Sequence, residues 1–173
     1  ERGSLDPERH YEILCGELYE KLGRGWPHPF AITALALAFK NLDQERFCLM
    51  SQSSLRVGEN LPEPDFIVLG GGLRGWRQTL TAKDVLLLVE VADTTFGLDS
   101  RVKAPMYAAA EIPVYWIVDI KRCRIEVHTR PESGQYAETR IFDSGQVLPP
   151  AFEGAPMVLV SDLFVVDEGP PAA

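Results

Sequence analysis

The sequence predicts a single α/β domain, an α+β mixed sheet with helices flanking it, and three observations predict this class. At 173 residues the chain can enclose one full hydrophobic core and is too short for two ordinary domains. The run Val-Leu-Leu-Leu-Val-Glu-Val-Ala over 85–92 is almost continuously apolar, as in a strand covered on both faces. Weaker strand signals lie before and after it, mixed with helical segments.

Taken in order, residues 7–14 read as a short helix, with Asp6 as its cap and Pro7 at the first helical position. Gly16 ends it, and Glu17-Leu18-Tyr19-Glu20 alternates polar and apolar like a strand edge. Residues 23–29, with His28, form a loop, and 30–42 a second helix with Phe30, Ala34, Leu37, Ala38 and Leu42 apolar. Strand signals follow at 47–50 and 54–57, and at 65–69 after the Pro62-Glu63-Pro64 break. Residues 70–75 are glycine-rich and read as a flexible link before the strong strand at 85–92. A helix is expected over roughly 102–111, then strands at 114–119, 124–128, 139–142 and 157–160. The domain therefore runs from 6 to 166, and the Gly- and Pro-biased tail at 167–173 is expected to be mobile.

Charge narrows the function classes. A net charge of -8 weighs against an extended nucleic-acid surface, because phosphate backbones are held mainly by Lys and Arg. A local basic cleft is compatible with it, with Arg74, Arg77, Lys83, Arg101 and Lys103 as candidates. No apolar run approaches the roughly 20 residues that span a bilayer, and no basic-then-apolar leader opens the chain. No membrane partner and a cytoplasmic location are the expectation. Cys15, Cys48 and Cys123 are odd in number, far apart and without CxxC spacing, which argues against a disulfide framework or a structural zinc. All three are expected to be buried, reduced thiols.

Glu90 is the residue its surroundings do not explain. Burying an ionised carboxylate in such a strand is costly unless a cation or a hydrogen-bond network compensates. Two readings stand: a structural pair with Lys or Arg, or a functional carboxylate. Asp65 opens the apolar run Asp-Phe-Ile-Val-Leu directly after Pro64. Alone it fits a turn residue capping its own backbone; on a strand beside Glu90 it would form a hard oxygen site for Mg²⁺. Lys103 precedes Tyr107 by four residues, so both lie on one helical face. Pro105 places the helix start near Lys103, where a helix end attracts anions. As a lone residue Lys103 also fits a solvated surface lysine. His28 beside two prolines fits a cap or surface position, and Tyr107 and Trp116 fit packing. No GxSxG elbow or Cys–His spacing suggests a nucleophilic hydrolase.

The ordered series Gly16-Glu17, His28, Pro64-Asp65, Val89-Glu90-Val91-Ala92-Asp93-Thr94-Thr95, then Asp99, Lys103, Tyr107, Ala108 and Pro113-Val114-Tyr115-Trp116-Ile117-Val118-Asp119 carries a resemblance. It resembles the Uma-type putative restriction endonuclease family, a bacterial branch of the PD-(D/E)XK nuclease superfamily. The resemblance covers about 11–164 and implies a restriction endonuclease-like fold. It also implies that Asp65 and Glu90 are metal ligands, that Glu17 is a further acidic residue of the site and that Lys103 is the catalytic lysine. One departure is plain: two residues after Glu90, where the superfamily motif carries Lys, stands Ala92. Lys103 substitutes only if its ammonium reaches the same cleft.

The activity so implied is Mg²⁺- or Mn²⁺-dependent hydrolysis of DNA phosphodiester bonds. Asp65, Glu90 and the backbone carbonyl of Val91 would hold the ion, and Lys103 would orient water or neutralise charge on the phosphate. Glu17 would complete the metal shell or bind a second ion. A homodimer would suit an enzyme cutting two strands, although no specific interface is visible. The alternative, from another class, is a catalytically inactive nuclease-fold protein acting as an interaction module. The acidic balance and Ala92 favour that alternative.

Overall fold

The computed structural model describes residues 11–20, 25–72 and 80–165. These begin with an antiparallel hairpin of β1 (Tyr11–Leu14) and β2 (Glu17–Glu20). Between them Cys15 and Gly16 have φ of 53° and 82°, the paired positive values that a two-residue hairpin turn requires. The helix expected over 7–14 is therefore corrected over 11–14, while 7–10 lie outside the described residues. Tyr-Glu-Ile-Leu buries Glu12 and Leu14 and exposes Ile13, the period of a strand.

Helix α1 spans Pro27–Ala38, so His28 lies in its first turn and not in a loop. Pro27 suits that start, where a missing N–H has no helical partner to lose. Strands β3 (Phe47–Ser51) and β4 (Phe66–Gly70) follow. The strand expected at 54–57 is corrected to a loop pinned by single bridges, Arg56 to Thr81 and Val57 to Asn60. Of the expected glycine-rich link, 73–75 lie outside the described residues. Strand β5 is Val85–Ala92, and α2 (Phe96–Leu98), a π-helical turn (Asp99–Lys103) and α3 (Ala104–Ala109) connect it to β6 (Val114–Asp119). Strands β7 (Arg124–Glu132) and β8 (Gln135–Asp143) run past their expected bounds, because Ser133 and Gly134 make a second positive-φ hairpin turn. A short pair, β9 (Val147–Leu148) and β10 (Val158–Leu159), closes the described chain with a 3-10 turn at Val160–Leu163.

Six strands make one sheet in the order β3-β4-β5-β6-β7-β8. Every neighbouring pair is antiparallel except β5 and β6, which are parallel. Parallel strands need a crossover, and the segment from α2 to α3 supplies it. The fold is thus the expected mixed α+β sheet with few helices. Leu87, Val89 and Val91 pack on the face covered by α1 and the C-terminal turn. Leu88 and Ala92 pack on the opposite face with Leu14 of the hairpin and Tyr107 of α3. Side chains alternate along a strand, so Glu90 projects toward the hairpin and α3. Each fully buried Leu or Val here contributes about 1.5–3 kcal/mol, and a one-residue slip would turn Glu90 toward α1. The register is therefore strongly specified.

All three cysteines are free, but only Cys48 is buried. Cys15 and Cys123 are exposed, a correction explained by their turn positions, with φ of 53° and 47°. Among the described residues no helix is long and apolar enough to cross a membrane.

Candidate active site

The register between β4 and β5 sets Phe66 opposite Val89. One step further along the two antiparallel strands brings Asp65 level with Glu90. The Val91 N–H donates to Asp65 Oδ2 at 2.9 Å, and His28 Nε2 lies 3.1 Å from the same oxygen. Asp65 is thus fastened to the strand that carries Glu90 and to the start of α1.

Lys103 closes the arrangement from the crossover. Its Nζ donates to Glu90 Oε1 at 2.9 Å and to Glu12 Oε1 at 3.0 Å, and stands 3.7 Å from Asp99 Oδ1. The Tyr107 hydroxyl donates to the same Glu90 Oε1 at 2.8 Å. Glu12 is itself fixed by the Glu63 N–H at 2.8 Å, and Asp99 by the Thr95 hydroxyl at 2.7 Å. The π-helical turn buries both Asp99 and Lys103; such turns are rare overall and, where they occur, are often at functional sites.

Glu12, Asp65, Glu90 and Asp99 each expose 2% or less of their surface, as does Lys103 among them. Burial pushes the Glu90 carboxyl up to about 8; Lys103 opposes that shift, and Asp65, Asp99 and Glu12 add to it by repulsion. Burial also raises Asp99, against the pull of Lys103 and Thr95. For Lys103, burial pulls downward, but Glu90, Glu12 and Asp99 outweigh it and its pKa rises. The Lys103 shift calls for ionised neighbours, whereas the Glu90 shift calls for proton uptake near neutrality. One ammonium among several carboxylates satisfies both: Lys103 stays charged and the acidic side retains a proton. Burial, then Glu90, pushes Tyr107 well above its ordinary range, so it stays a neutral donor.

That surplus of negative charge is what a divalent cation would relieve. Asp65 and Glu90 offer hard carboxylate oxygens, and the bonds from Lys103 and Tyr107 both fall on Glu90 Oε1, leaving Oε2 outside them. Among the described residues no three His, Cys, Asp or Glu side chains form a ready cation cage. Mg²⁺ commonly takes only one or two carboxylates and completes its shell with water and substrate phosphate. The donor set fits an ion held in that way.

Glu17 stands elsewhere. It is exposed on β2, accepts the Tyr19 hydroxyl at 3.1 Å, and lines an open groove of about 780 Å³ with Cys15, Tyr19, Asn60, Arg101 and Met106. Asp65, Glu90 and Lys103 do not line that groove, and the hairpin carboxylate that reaches Lys103 is Glu12. Of the expected basic cleft, Lys83 and Arg101 are exposed, and Arg74 and Arg77 lie outside the described residues. Trp116 packs in the core as expected, while Tyr107 also bonds Glu90. Sequence reasoning missed Glu12, His28 and Asp99 as members of the cluster. Asp99 had a signal, its four-residue spacing from Lys103; Glu12 had one only if Tyr-Glu-Ile-Leu was read with period two.

A mixed sheet with an Asp at the head of one strand, a buried Glu on the next, and a lysine returning to that Glu from the crossover defines a restriction endonuclease-like domain. The Uma2 family model, described as putative restriction endonuclease, matches residues 3–157, and the chain belongs to that family. Among solved structures it is similar to a putative nuclease belonging to DUF820 from Anabaena variabilis ATCC 29413, with a TM-score of 0.72, 17% identity and 93% of each chain covered. That likeness shows the shared fold. None of the curated proteins matches the chain.

Proposed function

We propose that this chain is a divalent-metal-dependent endonuclease that hydrolyses DNA phosphodiester bonds at Asp65, Glu90 and Lys103. The observation that carries the reading is Lys103 Nζ at 2.9 Å from Glu90 Oε1. The lysine missing at Ala92 has a replacement whose ammonium comes back to the same carboxylate. Restriction endonuclease families generally use divalent metals, and here Asp65, Glu90 and the Val91 carbonyl would hold Mg²⁺ or Mn²⁺. Such an ion, when bound, activates water and stabilises charge on the phosphate.

The chain's own residues do the rest. Lys103 brings a fixed positive charge, buried where electrostatic attraction to a phosphate oxygen is strong. Glu12 and Asp99 hold that ammonium in place. Tyr107 orients Glu90 without competing for protons at neutral pH. Glu17, in the neighbouring groove, serves in this reading as an outer acidic group for substrate or a second ion. Two copies would let both strands be cut in one encounter, so a homodimer belongs to the proposal.

The test is incubation of supercoiled, linear duplex and single-stranded DNA with purified protein and Mg²⁺ or Mn²⁺. Cleavage above an Asp65→Ala control supports the reading, and no cleavage of any form rejects it. The interaction-module reading has its own observation: Lys103 is enclosed by three carboxylates, as in a structural ion-pair core. It expects a folded protein to which Mn²⁺ does not bind.

A further inference from the structure

We infer that His28 is a positioning residue for Asp65, an inference that rests on the metal-site reading above. Asp65 is buried, and two donors meet its Oδ2: the Val91 N–H at 2.9 Å and His28 Nε2 at 3.1 Å. Two donors on one oxygen fix the plane of a carboxylate and so the direction of its other oxygen.

The local sequence explains why an imidazole has this role. The first turn of a helix normally offers backbone N–H groups to a nearby anion. Here Pro27 and Pro29 have none, and the His28 N–H is used on Gly25 O at 3.1 Å. The next amide, Phe30 N–H, goes to Trp26 O at 3.3 Å. The start of α1 therefore reaches Asp65 through the His28 ring. That ring is 2% exposed, and Ala31 and Leu35 anchor the same helix in the core with no exposure, so the donor has a rigid mount. Neither the prolines on either side of His28 nor its separation of 37 residues from Asp65 reveals this pairing in the sequence.

Outer partners that orient ligating carboxylates typically change metal affinity by about 10- to 100-fold when removed. The experiment is calorimetric titration of the metal-free protein with Mn²⁺, comparing wild type, His28→Gln and His28→Met. Gln keeps an N–H at similar reach, and Met has similar length without one. We expect His28→Met to weaken Mn²⁺ binding by about 10- to 100-fold and His28→Gln to stay within about threefold of wild type. A merely structural role would lower the unfolding temperature of both variants and leave the two affinities alike. Equal affinity in His28→Met and wild type, or equal loss in both variants, overturns the inference while leaving the metal site standing. A wild type to which no Mn²⁺ binds overturns the metal-site reading, and this inference with it. If His28→Met does not fold, His28→Ala takes its place in the same comparison.

Discussion

Lys103 Nζ and Glu90 Oε1 meet at 2.9 Å in the interface between β5 and the crossover, and Tyr107 closes on the same oxygen at 2.8 Å. The contact ties the central strand to the π-helical turn, so it bears on stability as well as on the proposed chemistry.

Replacing Lys103 by Met leaves Glu12, Glu90 and Asp99 buried without their ammonium. Breaking one side of a buried ion pair costs about 3–5 kcal/mol. Urea denaturation of Lys103→Met should show a loss of that order, and DNA cleavage should disappear. Adding Glu90→Gln should recover part of the stability, because one carboxyl fewer then has to be buried.

Tyr107→Phe removes one hydroxyl and keeps the edge-on contact with Tyr115, whose ring centroid is 5.1 Å away. A typical intramolecular hydrogen bond contributes about 0.5–1.5 kcal/mol. The denaturation midpoint should fall accordingly, with an unchanged denaturant slope.

Glu90 gives the metal-free protein a pH dependence of definite sign. Its carboxyl titrates at about 8 when folded, against an ordinary value of 4.5. Between these values the folded chain binds more protons than the unfolded one, so stability is present at acid pH and lost as pH rises through about 8. Thermal unfolding of the Glu90→Gln variant across pH 5 to 8 should show a flatter profile than wild type.

His128 works in the opposite direction. Burial lowers it from 6.5 to about 4, so the unfolded chain takes up a proton that the folded chain refuses. Its contribution is present above pH 6.5 and lost as pH falls through about 4. His128→Phe keeps the stack on Tyr115, at 5.5 Å between centroids, and gives up the 2.9 Å contact of Nδ1 with Thr139. Acid unfolding followed by circular dichroism should begin at lower pH in that variant.

The parts of this protein that were legible in the sequence are those set by local pattern. Strands β5 and β6 fall at their expected bounds because continuous apolar runs leave a strand no other face to show. The first strand was not legible, because the Asp6-Pro7 pair is a helix-start signal in the sequence and Cys15 at φ 53° conceals a hairpin turn usually signalled by Asn-Gly. Asp65, Glu90 and Lys103 stood out by motif order and by the cost of burying Glu90. Their supporting partners did not, since Glu12 lies 91 residues from Lys103 and only the tertiary fold joins them. Glu17 is a site residue only by the family resemblance, and the turn leaves it exposed while Glu12 projects inward.

The central claim is that Asp65 and Glu90 together hold a divalent cation. Calorimetric titration of metal-free wild type and Glu90→Gln with Mn²⁺ tests it most directly, each protein first shown to be folded by circular dichroism. Wild type should bind saturably, and Glu90→Gln should lose at least about tenfold in affinity. No binding by wild type, or equal binding by both, would contradict it.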